Sequence, residues 1–157
     1  MSLKDWESYG WLKKHETSPA EISDLFEIVE RDLKAAQTKG LPPDWKFGIA
    51  YNAALKPCTI LLYAEGYRPE NVNAHFRTLQ ALSEILGGKR KSDADYLNTC
   101  RTRRNTVEYD HIDGATEDDA IELIDYSQNL KSDVIEYLVR KYPNLVPEAG
   151  LNKTPSG

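Results

Sequence analysis

Residues 44–65 read DWKFGIAYNAALKPCTILLYAE. Trp45, Ile49, Ala53 and the Ile60-Leu61-Leu62 cluster recur at helical spacing, which makes this the most apolar segment of the chain and the expected central helix. Pro57 lies inside it. A proline in a regular helix removes one backbone bond and clashes one turn back, costing about 3 kcal/mol. The apolar pattern resumes on both sides, so the spacing predicts a kinked helix that continues. The rival is a short strand over Cys58 to Tyr63. Gly66 stops the helix and Arg68-Pro69 turns the chain.

Working outward, the pattern stays helical. Leu3 to Lys14 carries Trp6, Tyr9, Trp11 and Leu12 and reads as one or two short turns packed on the body by aromatics. Ser18-Pro19-Ala20-Glu21 is a helix start: Ser18 caps, Pro19 fits the first helical position and Glu21 completes a capping box. Ile22, Leu25, Phe26, Val29 and Leu33 follow at helical spacing, and Lys39-Gly40 with Pro42-Pro43 ends the run. A fourth helix is expected from Pro69 to Leu86, with Val72, Phe76, Leu79, Leu82 and Ile85 or Leu86 inward, closed by Gly87-Gly88. A fifth starts at Ser92, with Asp95 at the box position, and runs to Asp110 ahead of Gly114. Thr116 with Asp119 caps a sixth, which reaches Lys141 before Pro143. The expectation is an all-α, antiparallel up-and-down bundle of five to six helices over residues 1–146, with a frayed tail over 147–157.

Composition narrows the function classes. The chain has 157 residues, 40% hydrophobic and 29% charged, which suits one domain with a real core and not a disordered chain. The longest apolar run, Thr59 to Ala64, is far below the roughly 18 residues of a membrane span. The N-terminus lacks the apolar core of a signal peptide, so the expected location is cytoplasmic and no membrane partner is expected. Cys58 and Cys100 are expected as small core residues, and three isolated histidines make a poor metal set, so no metal or cofactor is expected. A net charge of -5 argues against a protein wrapped in nucleic acid and leaves room for a local basic site.

That charge is unevenly spread. From Gly87 to Arg104, six cations (Lys89, Arg90, Lys91, Arg101, Arg103, Arg104) face two acids, Asp93 and Asp95. From Asn105 to Tyr126 there is no Lys or Arg, while Glu108, Asp110, Asp113, Glu117, Asp118, Asp119, Glu122 and Asp125 are acidic. One alternative is a solvated face with internal pairs, such as Arg104 with Glu108 at i,i+4. Register singles out one residue, however. Leu97, Cys100, Arg104, Val107 and His111 fall on one inward stripe, so Arg104 stands where an apolar residue is expected. An arginine there needs a carboxylate, carbonyls or an anionic ligand. His111 lies two turns on, a rise of about 10 Å. Asn105 and Tyr109 form an adjacent i,i+4 pair. An arginine to hold a phosphate, a histidine to move a proton, and an amide and a phenol to orient them make a phosphodiester-cleaving set that needs no metal. His15 reads as an exposed loop residue, and His75 as structural, with a contribution to the cleft as the lesser reading. Trp45, Tyr63 and Tyr67 read as core or interface anchors.

With these residues in view, the chain resembles the HEPN-domain family. The resemblance rests on Arg104-Asn105 followed by His111 after six residues, in the Arg-Asn-x3-Tyr-Asp variant that ends on Tyr109-Asp110. It extends to Tyr51-Asn52-Ala53-Ala54-Leu55, to Ala64-Glu65-Gly66-Tyr67-Arg68-Pro69 and to His75. It implies a helical homodimer whose two motifs form one cleft. It also implies a metal-independent endoribonuclease, often a toxin paired with a nucleotidyltransferase-like antitoxin, or a non-catalytic module binding a nucleotide or a protein. On the ribonuclease side Arg104 would bind the scissile phosphate of the RNA and His111 would move the proton. Asn105, Tyr109, Asp110 and Arg101 would bind or orient the substrate.

Overall fold

In the computed structural model, residues 43–64 form one unbroken helix through Pro57. The structure describes residues 2–109 and 115–147, and for 105–109 the backbone alone. The elements are α1 (Leu3–Ser8), β1 (Leu12–Lys14), α2 (Pro19–Ala36), α3 (Pro43–Ala64), β2 (Tyr67–Pro69), α4 (Ala74–Leu86), α5 (Lys91–Tyr109) and α6 (Glu117–Lys141). Short 3-10 turns lie at Gly88–Arg90 and Pro143–Leu145. Burial explains why Pro57 is tolerated. Leu55, Ile60, Leu61 and Leu62 flank it at 4% exposure or less. Each is worth about 1.5–3 kcal/mol when buried, which together exceeds the proline's cost of about 3 kcal/mol. The strand over Cys58 to Tyr63 is not formed.

The all-α reading holds for the body of the fold, but two expected turns are strands. Leu12–Lys14 pairs antiparallel with Tyr67–Pro69, Leu12 opposite Pro69 and Lys14 opposite Tyr67. Arg68-Pro69 is therefore extended chain, and α4 begins at Ala74 rather than Pro69. Its cap, Asn73, sits in the left-handed region at φ 57, which asparagine tolerates better than most side chains. Val72, expected inward, is 79% exposed in the connection, and Trp45, expected as a core or interface anchor, is 65% exposed and lies outside the core. Cys58 and Cys100 are buried free thiols, as expected.

Helix α3 packs on α2, α4, α5 and α6. Its direction relative to each follows from specific contacts. Lys46 at its start donates to Glu117 at the start of α6 (2.5 Å), Ser127 donates to the carbonyl of Ala50 (3.1 Å), and Tyr137 donates to Glu65 at its end (2.5 Å). Thus α3 and α6 run parallel. Helix α4 also runs with α3: His75 meets Tyr51 early, while Ala81 and Ile85 share a later cluster with Leu62. The up-and-down expectation fails at this step. The extended β2 segment carries the chain back along α3 before α4 starts, so consecutive helices are parallel. Helices α4 to α5 and α5 to α6 do reverse; Arg90 reaches Asp133 and Arg103 reaches Asp119. The caps behave unequally. Thr116 and Asp119 make the full reciprocal box on α6. Ser18 accepts from the Glu21 backbone, but the Glu21 carboxylate turns instead to Thr17 (2.6 Å) and His15 (2.7 Å). His15 is consequently half-buried, with its ring 4.2 Å from that of Tyr63.

The tail expected over 147–157 and the stop at Gly114 fall, apart from Pro147, outside the described residues. Among the described residues, no helix is long and apolar enough to cross a membrane.

Candidate functional site at the junction of α3, α4 and α5

The arginine-bearing part of α5 is held by its own apolar face. Leu97 (0% exposed) and Cys100 (4%) anchor the helix in the core. One turn further along the same stripe, half-buried Arg104 places its guanidinium over the Tyr51 ring, 5.6 Å from the centroid. Arg101, also half-buried, donates from Nε to Asn98 Oδ1 at 3.0 Å. Arg103 faces elsewhere: it pairs with Asp119 at 2.8 Å and lies 5.8 Å from the Phe47 ring. The basic stretch is thus divided by position. Arg90 is bridged to Asp93 and Asp133, Lys91 to Asp95, and Arg103 to the α6 cap, while Arg101 and Arg104 are carried to the Tyr51 side.

Tyr51 lies under that side. It is 1% exposed, and its hydroxyl has no hydrogen-bond partner among the described residues. Burial drives its phenol pKa upward, and the opposing pull of Arg101 and Arg104 is too weak to reverse this, so the ring stays neutral. From α4, the His75 ring approaches to 6.4 Å. His75 is exposed as a residue, yet its pKa is held below the ordinary imidazole value. Partial loss of solvation is the main cause, followed by Arg104, Lys56 and Arg101. It is neutral at neutral pH, a state suited to accepting a proton.

The sequence singles out Arg104 and Arg101 as site residues. The structure sets both beside Tyr51. The backbone of Asn105 and Tyr109 continues α5, and their side chains are not described; Asp110 and His111 lie outside the described residues. Tyr51 and Lys56 were not singled out as site residues, and His75 was read mainly as structural. No local pattern joins them, since each comes from a different part of the chain. Only the parallel return of α4 beside α3 brings His75 to Tyr51.

A separate cavity of about 130 Å³ is lined by Leu86, Arg90, Asp133, Glu136, Tyr137 and Arg140. Its Arg90 is bonded to both Asp93 and Asp133. Among the described residues, no group of three or more His, Cys, Asp or Glu is placed to hold a metal ion. Comparisons of the chain with protein-family models, with curated proteins and with solved structures gave no match.

Proposed function

We propose that the chain is a HEPN-type dimeric module acting on RNA as a metal-independent endoribonuclease. The observation that carries this reading is Arg104 lying over the buried Tyr51 ring, with Arg101 and His75 close by. A guanidinium held over a neutral aromatic presents fixed donors to a phosphate, and half-burial strengthens its field there. In this reading Arg104 binds the scissile phosphate. The ribose 2′-oxygen attacks phosphorus, and His111 accepts its proton. The 5′-oxygen leaves with a proton from water. Asn105, Tyr109, Asp110 and Arg101 orient the RNA, and the motifs of two subunits share one cleft. As a toxin, the module would be silenced by a nucleotidyltransferase-like partner.

The test is cleavage of varied RNAs in EDTA by wild type, Arg104→Ala and His111→Ala. Wild type is expected to cut, and both variants to lose the activity. Removing one preorganised contact to the transition state typically lowers the rate by about 100- to 1,000-fold. Absence of cleavage by wild type sinks the enzyme reading; RNA or nucleotide binding that persists and depends on Arg104 then assigns a non-catalytic module. Sedimentation velocity tests the dimer, which requires a single species of twice the chain mass.

A further inference from the structure

Four nitrogen-bearing side chains from three helices bear on this junction: Arg101 and Arg104 of α5 and His75 of α4 lie by Tyr51, and Lys56 of α3 acts on His75. Three of them carry a permanent charge at neutral pH. His75 alone has an optional one. We propose that His75 is a second, proton-linked contact for the phosphate held by Arg104, neutral in the free protein and charged when a phosphodiester is bound. This rests on the reading of Arg104 as a phosphate site, and it does not require cleavage.

The geometry supports a shared ligand. The His75 ring and the Arg104 guanidinium both meet one aromatic ring, at 6.4 and 5.6 Å from its centre. Tyr51 itself is 1% exposed, so a phosphate held by Arg104 would sit outside the ring, where the half-buried guanidinium and the exposed imidazole reach the surface. His75 stands on the first turn of α4, and the left-handed Asn73 fixes where that turn begins. The charged groups facing it are Lys56 from α3 and Arg101 and Arg104 from α5, all basic among the described residues. Tyr51 faces it uncharged. On its own helix, Arg77 is turned away, bonded to Gln80 and stacked over Trp11 at 3.6 Å.

The sign follows from this arrangement. In the free protein the neighbouring cations and partial desolvation hold the imidazole below its ordinary pKa of 6.5. A phosphodiester brings a fixed negative charge that offsets those cations and stabilises the imidazolium. The His75 pKa therefore rises on binding, the complex takes up a proton, and affinity increases as pH falls through the interval between the two values. A rise of one unit corresponds to about tenfold in affinity between the alkaline and acid limits.

The experiment uses a short, rhodamine-labelled single-stranded deoxyoligonucleotide, which lacks the 2′-hydroxyl and is not consumed. Its binding is followed by anisotropy at about pH 5.5 and about pH 8, on either side of the ordinary histidine range. Wild type and His15→Gln are expected to bind several-fold tighter at the acid end, with about tenfold as the ceiling for a one-unit rise. His75→Gln is expected to match wild type at the alkaline end and to lose the acid gain, and Arg104→Ala to lose binding at both. The His75 ring resonances are expected to titrate at higher pH with the oligonucleotide than without it. If the oligonucleotide binds through Arg104 while His75→Gln keeps the acid gain, or if the His75 ring titrates at the same pH in both states, the inference is overturned and the Arg104 site stands. If wild type binds at neither pH, both are overturned.

Discussion

Tyr51 carries a hydroxyl that is buried without a described partner, at the centre of the residues that matter most. A buried polar group left unsatisfied costs about 1–3 kcal/mol. Tyr51→Phe keeps the ring under Arg104 and deletes that group. It is therefore expected to stabilise the fold by about 1 kcal/mol, read as a higher urea midpoint at an unchanged slope. A loss of more than about 1 kcal/mol would show instead that the hydroxyl is bonded in the folded chain. Arg104 was legible in the sequence because a cation on an apolar stripe is a local anomaly. Tyr51 was not, because a tyrosine among apolar residues is what a core helix ordinarily contains. His75 gave no local signal either. Its role depends on which side chains from two other helices stand beside it.

At the scale of elements, the connection from Gly66 to Asn73 does the most to position the site. Read in sequence, Arg68-Pro69 was a turn; in the fold, Tyr67–Pro69 is a strand paired to Leu12–Lys14. Proline fits there because an edge strand needs fewer of its donors. Strand pairing across the intervening helices is non-local, so no short window reveals it. The capping signals, which are local, read well: Thr116 with Asp119 forms the expected box, and Ser18 caps α2. Asn73 ends the connection in a conformation that penalises β-branched residues. Asn73→Gly is expected to be close to neutral, whereas Asn73→Val is expected to cost about 1–2 kcal/mol. Thermal or urea unfolding measures both. Because Asn73 sets the start of α4, Asn73→Val should also weaken binding at the His75 site, and Asn73→Gly should not. Equal loss in both variants would mean that the left-handed conformation is not what places the helix.

For the whole molecule, the charge total and the charge map predict different behaviour towards nucleic acid. Lys and Arg number 20 against 25 Asp and Glu, so the surface as a whole repels a polyanion. In the fold Arg90, Lys91 and Arg103 pair with carboxylates, Arg101 and Arg104 stand beside Tyr51, and Lys56 acts on His75. Each neutralised phosphate of a single strand contributes about -0.7 to the slope of log affinity against log salt. Two or three cations at one site thus give a slope of about -1.4 to -2.1. Titration of a single-stranded oligonucleotide at several salt concentrations measures it, at a pH where His75 is neutral. A slope steeper than about -4 would require contacts spread well beyond the junction and would remove the case for an arginine-centred site. At acid pH the slope should steepen by about 0.7, the contribution of one further cation, and His75→Gln should abolish that increment.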